Sequence, residues 1–215
     1  MYRHDKIAGI DGCKAGWIVA TFDDVFVIAS LNVDQFDRVG IDMPIGLTDG
    51  PPRACDTAAR RFLGSARSSV FPAPPRAALA CTDYRSALEV ARGTSGRGIS
   101  KQTFNIMRKV AEVDRLIDPA NPDALIEVHP ECTFTMLNGD RSLPSKKTVN
   151  GQLVRRRLLA ECFDLPTKAP TGASLDDLFD AYAALLSIGR FQRNEHRSFG
   201  DGQRDARGIE MRIVC

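Results

Sequence analysis

Five acidic residues stand where a folded chain could use them together: Asp11, Asp42, Glu127, Asp177 and Asp180. Asp11 closes the apolar run Ile7-Ala-Gly-Ile-Asp11, and Asp42 closes Val39-Gly-Ile-Asp42. Glu127 ends Ala124-Leu-Ile-Glu127, and Asp177 and Asp180 are three residues apart, on one face of a predicted helix. A carboxylate at the end of a buried strand is costly unless a cation or a basic group pairs with it. Several brought together repel one another and call for a cation, and oxygen-only ligands select magnesium or manganese. Two such ions about 4 Å apart can activate a water and stabilise the leaving oxygen of a phosphodiester displacement. In such a site Asp11 bridges the ions, and Asp42, Asp177 and Asp180 complete the ligand set. Glu127 either joins from its strand, supports the ligands from behind, or pairs with an arginine. Local structure offers competing roles for two of the five. Asp11-Gly12 is a common turn pair. Ser174 followed three residues later by Asp177 is a capping-box pattern, with Asp176 and Asp177 at the positive end of the helix dipole. Capping leaves Asp180, in the second turn, unexplained.

The elements that must position these acids follow from periodicity and breakers. Residues 6–20 read as two antiparallel strands around a glycine-bearing turn, and 25–30 as a third strand of the meander. A short helical turn is expected at 33–36, then a strand ending at Asp42, stopped by Pro44 and Gly46. Helices are expected at 53–63, 81–92, 100–117, 130–137, 152–162 and 174–190, and a strand at 124–131. In the helix at 100–117, Phe104, Met107, Val110, Val113, Leu116 and Ile117 form the apolar side. In the last helix, Leu175, Leu178, Phe179, Tyr182, Leu185 and Leu186 do so. Pro72, Pro74 and Pro75 rule out regular structure around 65–76, 93–98 is a flexible break, 138–151 is a polar loop, and 208–214 is an edge strand.

At 215 residues, 43% hydrophobic and 26% charged, the chain suits one soluble domain. Its net charge of +2 argues against a protein that coats long nucleic acid and leaves room for short, structured or nucleotide-sized substrates. The six cysteines are scattered without a C-x-x-C pair, which fits reduced thiols in the cytoplasm. The polar start Tyr2-Arg-His-Asp-Lys6 has no signal-peptide pattern, and no apolar run approaches the roughly 18 residues of a membrane span. The composition is compatible with a homodimer.

A meander, then alternating helices and strands, with acids at the ends of the first and fourth strands and in the last helix, resembles the RNase H fold. Asp177-Leu-Phe-Asp-Ala181 resembles the closing motif of RuvC-like resolvases in that fold. Gly9-Ile-Asp-Gly-Cys-Lys-Ala-Gly-Trp17, Ile41-Asp-Met-Pro-Ile-Gly-Leu47, Ser69-Val-Phe-Pro-Ala-Pro-Pro-Arg76, Glu127-Val-His-Pro-Glu131 and Asp176-Asp-Leu-Phe-Asp-Ala181 look like the motifs of a bacterial and archaeal domain family of unknown function, described as predicted nucleases of that fold. The likeness spans residues 6–190. It implies an α/β, RNase H-like domain: a mixed five-stranded sheet, first antiparallel and then parallel, flanked by helices, with a helical insertion at 52–120 inside one domain of 1–215. It also implies metal-dependent hydrolysis of a nucleic acid or nucleotide-type substrate.

Substrate contacts are expected from Arg67, Ser69 and Arg76 around the proline loop, from Lys101 and Gln102 at a helix start, and from His129 as a proton shuttle. Arg155, Arg156 and Arg157 read as a solvated helix face. His129-Pro-Glu131 before Cys132 faintly resembles a zinc deaminase but lacks the Pro-Cys-x-x-Cys partner. Cys13 reads as a small buried thiol rather than a nucleophile, and Trp17 as core. Two other functions compete. Gly12 and Gly16 fit the phosphate-cradling first hairpin of the related actin-like fold, a nucleotide-binding phosphotransferase. A non-catalytic ligand-binding domain would use the acids as caps and salt bridges.

Overall fold

Apolar residues run almost unbroken through β1 (Ile7–Cys13) and β2 (Gly16–Ala20), and both strands are buried nearly throughout. A computed structural model describes residues 6–215, so the polar residues 2–5 lie outside the described residues. The chain divides into two compact units, one of residues 1–42, 123–197 and 214–215, the other of 43–122 and 198–213. The predicted insertion at 52–120 falls wholly within the second unit.

The first unit is built on a mixed five-stranded sheet in the order β3-β2-β1-β4-β5, with β3 Val25–Ile28, β4 Arg38–Ile41 and β5 Leu125–Glu127. β1, β2 and β3 are an antiparallel meander, whereas β4 and β5 run parallel to β1. The sequence puts Asp11 at the end of its strand, but β1 continues past it to Cys13. Asp11 still pairs with Ile18 of β2, while β4 stops at the pair Ile10–Ile41. Asp11 therefore lies just where β1 loses its parallel neighbour. Asp42 follows directly, its N–H bonded to the Ile10 carbonyl at 3.0 Å.

One helix covers this sheet closely. In α6 (Leu175–Gln192) every residue from Leu178 to Gly189 is buried. A helix buried on all sides needs cover beyond the sheet, and α4 (Pro130–Leu137) and α5 (Val149–Ala160) also pack against α6. Side chains alternate between sheet faces with period two. Ile7 and Cys13 share a core cluster with Ala181 and Leu185, which assigns Gly9 and Asp11 to the α6 face as well. At Gly9 a Cβ would lie 2.1 Å from the Ala181 carbonyl oxygen and 2.1 Å from the Leu185 nitrogen. At Gly40, the partner of Gly9 in β4, it would lie 2.7 Å from the Ala184 oxygen. The helix backbone thus rests on the sheet backbone at two glycines in register.

The second unit holds α1 (Ala54–Leu63), α2 (Tyr84–Ser95), α3 (Lys101–Leu116) and two 3-10 turns, Gly64–Ser69 and Arg76–Ala80. Asp205 organises its loops. It accepts the Leu47 and Ile209 N–H groups at 3.1 and 3.0 Å and pairs with Arg76.

Several expected elements differ. Residues 33–36 form a turn, closed by Phe36 N–H to the Val33 carbonyl at 3.0 Å. The 3-10 turn at Gly64–Ser69 replaces the irregular start of the proline loop, because the three prolines begin only at Pro72. α2 starts later and runs to Ser95, capped by Asp83, and α5 starts at Val149, capped by Thr148. Leu116 and Leu175, placed on apolar stripes, are exposed because each sits at a helix end. The predicted edge strand shrinks to β7 (Ile213–Val214), which pairs with β6 (Ser198–Phe199). Among the described residues no helix is long and apolar enough to cross a membrane.

Gly9→Ala should cost about 3 kcal/mol or more, because its methyl meets helix backbone, which cannot swing aside as a side chain would. Chemical denaturation of the two proteins measures this; a loss under about 1 kcal/mol would show that α6 can lift off without penalty.

Candidate functional site

Period-two alternation carries the chain from the contact glycines to the acids. Two residues beyond Gly9 is Asp11, two beyond Gly40 is Asp42, and directly before Ala181 is Asp180. Each of Asp11, Asp42 and Asp180 offers a carboxylate oxygen, and these oxygens all lie within 4.8 Å of one another. Asp11 and Asp180 are buried and Asp42 is half-buried. One Asp11 oxygen accepts the Gly12 N–H at 2.6 Å, which fixes the carboxylate. Asp180 accepts the Lys146 ammonium at 2.8 Å.

Electrostatics at the site are unbalanced. Burial holds Asp11 well above the usual carboxylate range, and the charges of Asp42, Asp180 and Asp177 push it further, against the Gly12 bond. Burial raises Asp42 to about 6, with Lys146 pulling it back. Asp180 also rises to about 6, through burial and through Asp42, against Lys146. Burial works against the Lys146 ammonium, but Asp180, Asp42 and Asp11 outweigh it and raise that group. One ammonium against three carboxylates leaves negative charge uncompensated. All donors are carboxylate oxygens, so the set fits a hard divalent cation.

Of the other expected acids, neither Asp177 nor Glu127 belongs to the converging trio. Asp177 is held in the capping box: its carboxylate accepts the Ser174 N–H at 2.8 Å, and its own N–H donates to Ser174 Oγ at 3.2 Å. Its charge still reaches Asp11. Glu127 is buried at the end of β5 opposite Ile41, outside the converging trio. His129 precedes α4, and its carbonyl accepts the Cys132 and Thr133 N–H groups at 2.9 and 3.2 Å. Arg67, Ser69, Arg76, Lys101 and Gln102 belong to the second unit. There Ser69 Oγ donates to the Ala66 carbonyl at 2.8 Å, and Lys101 lies 6.0 Å from the Tyr84 ring centre. Arg76 is engaged by carboxylates, donating to both oxygens of Asp114 at 2.7 and 2.6 Å and to Asp205. Cys13 and Trp17 are buried.

Arg155 requires a correction. It is not part of a solvated face but only 2% exposed. Its Nη2 donates to both oxygens of Glu131 at 2.7 Å, and its Nη1 donates to the Pro144 and Gly151 carbonyls at 2.9 and 3.0 Å. Glu131 lies in α4, far off in sequence, so the arginine run alone gave no sign of it. Lys146 stands in the sequence as one of a lysine pair in the polar loop at 138–151, which carries no sign of its pairing with Asp180.

The chain is thus an α/β protein with a buried carboxylate trio at one end of a mixed sheet. It belongs to the family described as "Protein of unknown function (DUF429)", whose model matches residues 9–204, a span that includes all three carboxylates and Lys146. No curated protein and no solved structure matches it.

A raised carboxylate pKa means that the fold binds protons the unfolded chain has already released. For Asp42 and Asp180 that stability is present below about pH 4 and is lost as pH rises through about 6, and Asp11 shifts in the same direction. Asp11→Asn should therefore stabilise the metal-free protein at pH 8 and flatten its loss of stability as pH rises from about 4 to 8. Thermal melts in chelator across that range test this, and equal slopes for the two proteins would contradict it.

Proposed function

We propose that the protein is a metal-dependent phosphodiesterase of the RNase H-like type, acting on a nucleic acid or a nucleotide-type substrate. The observation that carries this reading is the convergence of Asp11, Asp42 and Asp180 from β1, the end of β4 and α6. The strand order, with three antiparallel strands followed by two parallel ones, and the likeness of the motifs to those of predicted nucleases support it. Fold and family leave the reaction open, so the argument for it rests on the site.

The trio would hold magnesium or manganese through Asp11, Asp42 and Asp180. When bound, the ion supplies the positive charge that a water attacking phosphorus and a departing oxygen require. The protein's own contribution is placement. Gly12 fixes the Asp11 carboxylate, the β1–β4 pairing fixes Asp42, and the contact of α6 on Gly9 fixes Asp180. The overall reaction adds water across one phosphorus–oxygen ester bond: the water oxygen joins phosphorus, the ester oxygen leaves with a proton, and a phosphomonoester and an alcohol result. Held in the helix cap, Asp177 would act on this site through its charge.

Single-stranded, duplex and branched DNA and RNA, cyclic dinucleotides and a nitrophenyl phosphodiester should be incubated with protein and manganese. At least one should be hydrolysed, with activity falling at least a hundredfold in Asp11→Asn, Asp42→Asn and Asp180→Asn and vanishing in chelator, about 2.7 kcal/mol or more of transition-state stabilisation. Hydrolysis that survives Asp11→Asn undiminished would overturn the proposal.

A further inference from the structure

We infer that Lys146 is a built part of this site: its ammonium takes the place of a second metal ion, so that the trio holds one divalent cation. This rests on the metal-site reading above and extends it to stoichiometry and to a residue outside the acidic set.

The first support is where the ammonium sits. Lys146 Nζ donates to Asp180 Oδ2 at 2.8 Å, and that carboxylate is one of the three that converge. The Asp180 side chain is 7% exposed and that of Lys146 44%, so a half-exposed lysine reaches in to a buried acid of the cluster.

The second support is independent of the acids: the segment that carries Lys146 is clamped. Thr148 caps α5 through its Oγ1, which accepts the Gly151 N–H at 3.1 Å and donates to the Ser145 carbonyl at 2.8 Å. The Thr148 N–H donates to the same carbonyl at 2.9 Å. Gly151 lets the first turn of α5 lie on the loop, since a Cβ there would be 2.0 Å from the Ser145 oxygen and 2.8 Å from the Pro144 oxygen. Arg155, one turn on, holds the Pro144 carbonyl and is itself locked on Glu131 of α4. Because the backbone on either side of Lys146 is already fixed, reaching Asp180 costs only the rotamer freedom of its side chain.

Charge arithmetic then sets the metal count. Three ionised carboxylates carry three negative charges, Lys146 carries one positive, and one divalent ion supplies the remaining two. A second divalent ion would place two excess positive charges in a buried site and would have to displace Lys146 from Asp180. Glu131, Arg155 and Gly151 are positioning residues on this view: they act through the loop, not on the substrate.

Manganese should be titrated calorimetrically into wild type, Lys146→Met, Lys146→Arg and Asp11→Asn, with electron paramagnetic resonance of the loaded proteins to separate isolated from spin-coupled ions. Wild type should bind one isolated ion per chain. Lys146→Met should take up a second, spin-coupled ion or bind the first at least tenfold more tightly. Lys146→Arg, which keeps the charge, should stay at one, and Asp11→Asn should lose binding at least tenfold. Two coupled ions in wild type, or one ion of unchanged affinity in Lys146→Met, would overturn the role of Lys146 while leaving the metal site standing. Absence of binding in wild type would overturn both.

Discussion

Everything at the site depends on how closely α6 can approach the sheet. Two glycines in register, Gly9 and Gly40, leave no side chain between helix and strands, so helix backbone meets strand backbone directly. The pleat then places Asp11 and Asp42 two residues further on, on the same face, while Asp180 stands one residue before the helix carbonyl that touches Gly9. An intervening methyl group would move the helix carboxylate away from the strand carboxylates. Backbone contact turns three acids that are remote in sequence into a cluster.

That cluster is arranged against the stability of the fold. Three carboxylates share a buried site in which Gly12 and Lys146 are the groups that favour their charged forms. A chain under selection for stability alone would have replaced one of them with an amide or an apolar residue. Natural proteins retain such strain where function needs it. Elsewhere the same chain balances its buried charges: Arg155 with Glu131, and Arg76 with Asp114 and Asp205. The contrast supports the proposal that the trio takes a cation from outside.

Much of the first unit was legible in the sequence. Unbroken apolar runs with glycine punctuation gave the meander, and the strand ending at Asp42 and the buried stripe of α6 followed from periodicity. The acids stood out because a charge at the end of an apolar run has a cost that must be met. Asp180 was separable from Asp177 on helix arithmetic, since a cap uses the first turn and not the second. What the sequence hid were the long-range pairings. Arg155 looked like one of three solvated arginines, and only the arrival of Glu131 from α4 buries it. Nothing near Lys146 in the sequence points to Asp180, because neither Gly151 nor Thr148 shows by its type that it clamps the loop. Gly9 and Gly40 carry no signal in the sequence, since a close helix approach is a property of the partner and leaves no pattern in the strand.

The most direct test of the central claim is diffraction from crystals grown with manganese, recorded at the manganese absorption edge. An anomalous peak at about 2.0–2.2 Å from oxygens of Asp11, Asp42 and Asp180 would establish that the three carboxylates form a metal site. A map with no peak there at millimolar manganese, with the trio unchanged and Lys146 still on Asp180, would contradict it.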